Sequence, residues 1–242
     1  GGAHANNPLD FQEFMIMPIS ASSFQHAMQM GSEIFHSLKK ILSEMGQSTS
    51  VGDEGGFAPN IASPEDTLSL LTKAVENSGY KVQEDIVFAL DVAATEFYKD
   101  GLYNLTNFNN PINSDEMIEY LKTLIEKFPI FSIEDPLDED DWKGWTKLNS
   151  QIGNNVQIVG DDLFVTNSKR LEKGIELNSA NSILIKVNQI GTLTETFNSI
   201  DIAKNNNYSY IISHRSGETE DNFIADLSVA TESCQIKTGS LT

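Results

Sequence analysis

IVFALD, residues 86–91, is a run of five apolar residues that ends in an acid, Asp91. Five more runs have this form, an apolar stretch that ends in a polar tip: PIFSIED with Glu134, VQIVGDD with Asp161, SILIK with Lys186, YIISHRS with His214 to Ser216, and QIK with Lys237. Short runs rich in Ile and Val are typical of parallel strands buried on both faces. Successive tips are 23 to 43 residues apart, which leaves room for a helix between neighbouring strands. The pattern predicts an α/β barrel whose C-terminal rim carries the polar tips.

Helical periodicity fills several of the intervals. Apolar residues recur at amphipathic spacing from Ala21 to Met45. Ser63 and Pro64 are typical of a helix start, and Gly79 of its end. The other predicted helices run from Asn113 or Ser114 to Phe128, then over residues 168–177, 194–205 and 221–231.

The composition excludes several classes of partner. The 242 residues carry a formal net charge of −19, from 35 Asp and Glu against 16 Lys and Arg. So acidic a surface repels nucleic-acid phosphates and anionic membranes. Cys234 is the single cysteine and cannot form an internal disulfide. No apolar stretch reaches the roughly 20 residues of a membrane span, and we recognise no secretory signal peptide.

Both ends lead us to expect a piece of a longer protein. The chain opens on GGAHANN without Met and stops at KTGSLT, directly after a predicted strand. A complete barrel of this kind has eight strands and about 250 residues, whereas six strands are predicted here. We therefore expect one domain, residues 1–242, that is a barrel incomplete at both ends.

Three consecutive strand tips are acids, namely Asp91, Glu134 and Asp161. Converging carboxylates repel one another unless a cation lies among them. Oxygen donors without a Cys or His pattern favour a hard ion such as Mg²⁺ over zinc. Each acid taken alone could equally be a strand-end cap or an ion-pair partner. Three in series favour a magnesium site.

Positively charged side chains lie at the ends of a second group of predicted strands. Lys186 follows the aliphatic run SILI, and burial there lowers the pKa of a lysine towards the range of a general base. A lysine that reaches solvent at the rim is the alternative. Arg215 and Ser216, beside His214, lie on a Ser-Gly turn before a helix, a setting that binds phosphate or carboxylate. With Lys237, these groups indicate an anionic substrate.

The loop VGDEGGFAPN, residues 51–60, places Glu54 between glycines and is too apolar for a linker. Glu54 suits acid or base chemistry if it faces the site, although Gly-Asp loops are common. His4 and the pair Gln12 and Glu13 are ambiguous in the same way. A histidine beside glycines is more often structural than catalytic.

Taken together, these segments resemble the enolase family over all 242 residues. The matching runs, in chain order, are GGAHA (1–5), QEFMI (12–16), VGDEGGFAPN (51–60), SIEDP (132–136), GDDLFVTN (160–167), LIKVNQIGT (184–192), SHRSGETED (213–221) and QIKTG (235–239). SHRSGETED and KVNQIG are specific enough to exclude chance, and GGAHANN and MPISASSF have a bacterial character. The resemblance implies a TIM-like barrel of the enolase superfamily. It also implies a Mg²⁺-dependent hydro-lyase, phosphopyruvate hydratase, which interconverts 2-phosphoglycerate and phosphoenolpyruvate in glycolysis and gluconeogenesis.

The resemblance also implies a role for individual positions. Asp91, Glu134 and Asp161 match the ligands of the structural Mg²⁺. Lys186 matches the base that removes the proton next to the substrate carboxylate, and Glu54 matches the acid that assists departure of the hydroxyl. Glu13 and His214 match further catalytic residues. The positions that match residues holding the substrate are His4, Gln12, Lys186, Arg215, Ser216 and Lys237.

The family further implies parts that lie outside this sequence. They are an N-terminal α+β domain whose mobile loop gives a serine ligand to a second Mg²⁺, a barrel strand before His4, and terminal helices after Lys237. We therefore expect this piece alone to be inactive. The resemblance suggests a cytoplasmic homodimer, with a secondary pool at the cell surface or secreted.

Two other functions are alternatives to the phosphopyruvate hydratase activity. Another branch of the superfamily, a Mg²⁺-dependent acid-sugar dehydratase or racemase, is disfavoured by the intact SHRSGETED and GDEGGFAPN runs. A surface-displayed protein that binds macromolecules without turnover would be favoured by loss of Lys186 or Glu54, and both are present.

Overall fold

The computed structural model describes residues 1–241. The chain divides into two compact units. The first unit comprises residues 1–92, 96–132, 240 and 241, and the second comprises residues 93–95 and 133–239. The prediction of one domain stays a prediction.

The strands of the first unit centre on β2, Ile86–Asp91, in which every residue is buried. This confirms IVFALD as a strand with Asp91 at its carboxyl end. β2 pairs antiparallel with β1, Glu13–Pro18, so that Glu13 lies opposite Asp91. β1 was not predicted from the sequence, because its apolar run, residues 14–17, is followed by Pro18 and does not end in a polar residue as the other runs do. The antiparallel direction of β1 also departs from the parallel order expected of the barrel strands.

Three helices and a short hairpin complete the first unit. The elements in chain order are a 3₁₀ turn at Gly2–His4, α1 at Phe24–Glu44, α2 at Pro64–Asn77, β3 at Tyr98–Lys99, β4 at Leu102–Tyr103 and α3 at Ser114–Lys127. The helix starts follow from capping, since the Ser63 hydroxyl accepts a hydrogen bond from the Asp66 N–H. Asn113 and Glu116 form a reciprocal capping box at α3. All three helices confirm the predicted periodicity.

The strands of the second unit follow one another in the order β5-β6-β7-β8-β9. The bounds are Ile130–Glu134 for β5, which passes from the first unit into the second, Gln157–Gly160 for β6, Ser182–Ile185 for β7, Ser209–Ser213 for β8 and Ile236–Lys237 for β9. β6 to β9 pair parallel to one another. These strands confirm the remaining five predicted runs, although β9 has only two residues and is half-buried.

Helices alternate with the strands of the second unit: α4 at Trp142–Ile152, α5 at Ser168–Leu177, α6 at Val187–Ile190, α7 at Leu193–Asn205 and α8 at Phe223–Ala230. α4 and the single turn α6 were not predicted. α4 begins where Asp141 accepts a hydrogen bond from the Gly144 N–H, and α6 ends at Gly191, whose φ of 105° suits glycine. No helix within residues 1–241 combines the length and the hydropathy that crossing a bilayer requires.

The alternation of side chains along the strands determines which of them lie at the carboxyl ends of β6 and β7. Val159, Leu184 and Ile211, on three neighbouring strands, form one buried apolar cluster. Side chains two residues apart share a face of a sheet. Asp161 and Lys186 therefore follow directly beyond this cluster, at the carboxyl ends of β6 and β7.

Candidate active site

Three carboxylates converge at the carboxyl ends of β5 and β6. Glu134 is the last residue of β5, Asp135 follows it, and Asp161 follows β6. One oxygen from each of the three lies within 4.8 Å of the others. The residues are only 3%, 3% and 6% exposed, in that order. Buried carboxylates at this spacing repel unless cations or hydrogen-bond donors balance them.

Asp135 is held in an unusual conformation and binds the neighbouring loop. Its φ of 42° lies in the left-handed region, which non-glycine residues seldom occupy. Its two carboxylate oxygens accept hydrogen bonds from the backbone N–H groups of Asp161, at 3.0 Å, and Asp162, at 2.7 Å. Asp135 therefore fixes the backbone from which the Asp161 side chain projects. The strand pattern in the sequence does not single out Asp135, because Glu134 already supplies the polar end of that apolar run.

Two lysines pair with this cluster. Lys186 Nζ lies 2.5 Å from Asp161 Oδ2, and Lys237 Nζ lies 2.8 Å from Glu134 Oε2. The lysine side chains are 17% and 11% exposed. The two ammonium groups therefore balance part of the repulsion among the three carboxylates.

The pKa of Lys186 departs from the expectation. Burial is the largest single influence and lowers the pKa, but the charges of Asp161 and Glu134 raise it, and the net shift is upward. The expectation that burial brings the pKa towards the general-base range is therefore wrong for this arrangement. The reason is that two carboxylates stabilise the ammonium more strongly than burial destabilises it.

The donors of the cluster fit Mg²⁺. All are carboxylate oxygens, the cluster contains neither Cys nor His, and hard divalent cations prefer such donors. Asp135 uses its two oxygens to hold the backbone of the neighbouring loop, whereas Glu134 and Asp161 are the two members of the cluster that the strand pattern predicted as ligands. The match with magnesium thus rests on two of the three predicted ligands.

The loop after β8 carries the other predicted anion-binding residues. His214 is 5% exposed, and its backbone N–H donates to the Lys237 carbonyl at 2.9 Å. Arg215 is half-buried and its guanidinium donates to Asn188 Oδ1 at 3.0 Å, while Ser216 is exposed. α8 begins only at Phe223. The turn is thus not the immediate N-terminus of a helix, and Arg215 itself supplies the charge that suits an anion.

Gln12, Glu13 and Asp91 meet on the strand pair of the first unit. Asp91 is 2% exposed and accepts a hydrogen bond from Gln12 Nε2 at 3.2 Å. Glu13 is its cross-strand partner, and residues directly opposite one another in an antiparallel pair point to the same face. The assignment of Asp91 as a third metal ligand stays a prediction.

The Gly-rich loop is also part of the first unit. It is irregular, as predicted, with a bridge between Val51 and Phe57 and a left-handed Gly55 at φ 77°. His4 Nδ1 lies 3.6 Å from Glu54 Oε1. The Glu54 side chain is 18% exposed, and its carbonyl accepts from the Ser240 N–H at 2.9 Å. His4 and Glu54, ambiguous when taken singly, are neighbours.

A comparison with protein-family models matches the whole chain, residues 1–242, to "Enolase, C-terminal TIM barrel domain". The chain belongs to this enolase family. The match confirms the predicted α/β fold class and its TIM barrel, and it identifies the chain with a superfamily of enzymes. An acidic cluster suited to Mg²⁺ is in keeping with this enolase domain.

For the enolase domain described here, Asp135→Asn should lower the free energy of unfolding by about 1–3 kcal/mol. An amide offers one acceptor oxygen, so one of the two backbone N–H groups would face a donor instead. Denaturant unfolding measures this change. Asp201→Asn, at an exposed position of α7, is the matched control and should stay within about 0.5 kcal/mol of wild type. Equal stability of the two variants would show that the Asp135 contacts contribute nothing.

Proposed function

We propose that the chain is the barrel of a bacterial-type enolase that converts 2-phosphoglycerate to phosphoenolpyruvate and water, and also catalyses the reverse reaction. One observation carries the proposal: a half-buried lysine, Lys186, lies 2.5 Å from a carboxylate of a cluster whose donors suit Mg²⁺. A base next to a bound cation is what abstraction of a proton beside a carboxylate requires. Membership of the enolase family supports this use of the pair.

Lys186 would remove the proton on the carbon next to the substrate carboxylate. That proton is very weakly acidic, and its removal adds negative charge to a group that is already an anion. When bound by Glu134 and Asp161, with Asp91 as the proposed third ligand, Mg²⁺ would stabilise this charge. Lys186 must be neutral to act as a base, so its ion pair with Asp161 has to break before the step. Lys237, paired with Glu134, keeps a second positive charge nearby.

Departure of the hydroxyl would then need an acid. We assign this role to Glu54, whose carboxylate has His4 at 3.6 Å, with Glu13 assisting. His214 is assigned to the catalytic group, and His4, Gln12, Arg215, Ser216 and Lys237 to the residues that hold the phosphorylated acid. Arg215 is suited to this task because its planar guanidinium can form two parallel hydrogen bonds with a phosphate.

We assign the activity to a full-length protein in which this barrel is preceded by an N-terminal α+β domain. That domain would supply a serine ligand to a second Mg²⁺. We further propose a homodimer that works in the cytoplasm.

A substrate screen with the full-length protein and Mg²⁺ tests the proposal. The screen compares 2-phosphoglycerate with unphosphorylated sugar acids and mandelate-type acids. We expect 2-phosphoglycerate alone to be turned over, with kcat/KM of about 10⁴ M⁻¹s⁻¹ or more. Preference for an unphosphorylated acid would place the chain in another branch of the superfamily. Turnover of none would favour a binding role without catalysis.

A further inference from the structure

We propose that Thr166 and Gln189 are positioning residues that set the main chain of Lys186 and the carboxylate of Asp161. Neither residue was singled out from the sequence. The inference rests on the proposed function, in which Lys186 is the base and Asp161 a metal ligand. It concerns four residues of the second unit that are joined by a closed ring of hydrogen bonds.

The ring begins at a strained turn. Val165 and Thr166, two consecutive β-branched residues, have φ values of 46° and 54°. β-branched residues seldom adopt this left-handed conformation, and such strain persists only where surrounding contacts hold it. Here Ser199 of α7 donates to the Thr166 carbonyl at 2.7 Å, and Thr166 is fully buried. The left-handed turn therefore belongs to a fixed arrangement that aims the Thr166 side chain.

The Thr166 hydroxyl connects two groups near the proposed base. It accepts a hydrogen bond from the backbone N–H of Lys186 at 2.9 Å and donates to Gln189 Oε1 at 3.0 Å. A hydroxyl has one proton to donate, and the Leu184 carbonyl, at 3.5 Å, is the more distant acceptor. The main chain at Lys186, which leaves β7 at this point, is thus tied to the Thr166 side chain.

Gln189 continues the ring to the metal-binding carboxylate. Its Nε2 donates to Asp161 Oδ1 at 3.3 Å. The reverse orientation of the amide would place its oxygen against the carboxylate, which is repulsive, so the chemistry selects the orientation described. Asp161 Oδ2 accepts from Lys186 Nζ. The ring is therefore closed: Lys186 N–H to Thr166, Thr166 to Gln189, Gln189 to Asp161, and Asp161 back to the Lys186 side chain.

This arrangement fixes the two reactive groups relative to each other. Once a cation and the substrate separate the Lys186 ammonium from Asp161, the path through Thr166 and Gln189 still holds both residues. Proton transfer is sensitive to errors of well under 1 Å in such positions. Hydrogen-bond partners of metal ligands also change metal affinity or activity by about 10- to 100-fold when they are mutated.

A matched pair of variants separates the hydroxyl from the shape of the residue. Thr166→Val keeps the branched shape and removes the hydroxyl, which leaves the Lys186 N–H and Gln189 Oε1 without this partner. Thr166→Ser keeps the hydroxyl. In the full-length protein we expect Thr166→Val to lower kcat by about 10- to 100-fold with KM nearly unchanged, and Thr166→Ser to stay within about threefold. Thr196→Val is the control, because Thr196 is also fully buried and its hydroxyl donates to the Thr192 carbonyl at 2.9 Å.

Two readouts do not depend on turnover. Hydrogen exchange at the Lys186 amide, followed by mass spectrometry without metal, should be at least about tenfold faster in Thr166→Val and unchanged in Thr166→Ser. Gln189→Leu should weaken the binding of Mn²⁺, used as a probe ion, by about tenfold. Thermal unfolding confirms that each variant is folded at the assay temperature.

The outcomes distinguish this inference from the proposed function. Equal exchange at the Lys186 amide in Thr166→Val and Thr166→Ser, or equal loss of kcat in Thr166→Val and Thr196→Val, would overturn the positioning role. Absence of turnover by the wild-type protein, with the amide difference present, would instead overturn the proposed function and leave the hydrogen-bond ring established.

Discussion

Lys186→Ala should lower kcat for dehydration of 2-phosphoglycerate by the full-length protein by at least about 10³-fold. The reason is that Lys186 is the proposed base. Its ammonium group lies within hydrogen-bond distance of Asp161, one of the proposed metal ligands. Removal of Lys237 would leave the base in place, so its effect should be smaller and should include a rise in KM. Phosphoenolpyruvate formation, followed by ultraviolet absorbance at saturating Mg²⁺, measures both variants.

Lys169→Ala is the matched control for this loss. Lys169 is an exposed lysine on α5 in the same unit, and its removal should leave kcat unchanged. Lys186→Met, which retains much of the side-chain volume, should lose as much activity as Lys186→Ala. If Lys186→Ala kept kcat within about tenfold of wild type, a barrier difference of about 1.4 kcal/mol, Lys186 would not be the base.

Chelation of divalent cations should abolish dehydration by the full-length protein, and added Mg²⁺ should restore it. Glu134, Asp135 and Asp161 form a buried cluster of oxygen donors, of which Glu134 and Asp161 pair with lysines. Asp161→Asn removes a charged oxygen donor and should weaken Mn²⁺ binding by at least about 10- to 100-fold. Mutation of a residue that only hydrogen-bonds to a metal ligand already lowers metal affinity by about that factor. Calorimetric titration of the chelated protein measures this affinity.

Asp201→Asn is again the control, because it removes the same charge at an exposed site on α7. Its Mn²⁺ affinity should equal that of wild type. Turnover that continued unchanged after chelation would contradict the proposed metal site, and so would equal affinity of the Asp161 and Asp201 variants.

Much of the second unit could be predicted from the sequence, because each of its strands is an apolar run with a polar residue at its end. SILIK, for example, became β7 with Lys186 directly after it. Parallel strands bring their carboxyl ends to one edge, so the meeting of Glu134 with Asp161 followed from the pattern. Helix starts were predictable where a capping side chain marks them, as Ser63 does for α2.

The remaining features depend on contacts that no local pattern records. β1 contains an apolar run at residues 14–17, but the acid Glu13 precedes that run and Pro18 follows it, so the pattern of a polar strand end does not identify β1 or its antiparallel pairing. The left-handed conformation of Asp135 and its bonds to two backbone N–H groups arise only once β5 and β6 are paired. The predicted direction of the Lys186 pKa shift was wrong. Burial lowers this pKa and the charges of two carboxylates raise it, and the size of the second effect depends on the distances of the carboxylates from the ammonium group, which the sequence does not give.

Exchange of the C2 proton of 2-phosphoglycerate with D₂O, followed by NMR at saturating Mg²⁺, measures proton removal by Lys186 separately from loss of the hydroxyl. The full-length wild type, Glu54→Gln and Lys186→Ala would be compared. We predict exchange by the wild type, exchange that Glu54→Gln largely retains although its dehydration is slowed, and no exchange by Lys186→Ala. Exchange by Lys186→Ala at the wild-type rate, or loss of exchange as complete in Glu54→Gln as in Lys186→Ala, would contradict the assignment of Lys186 as the base and Glu54 as the acid.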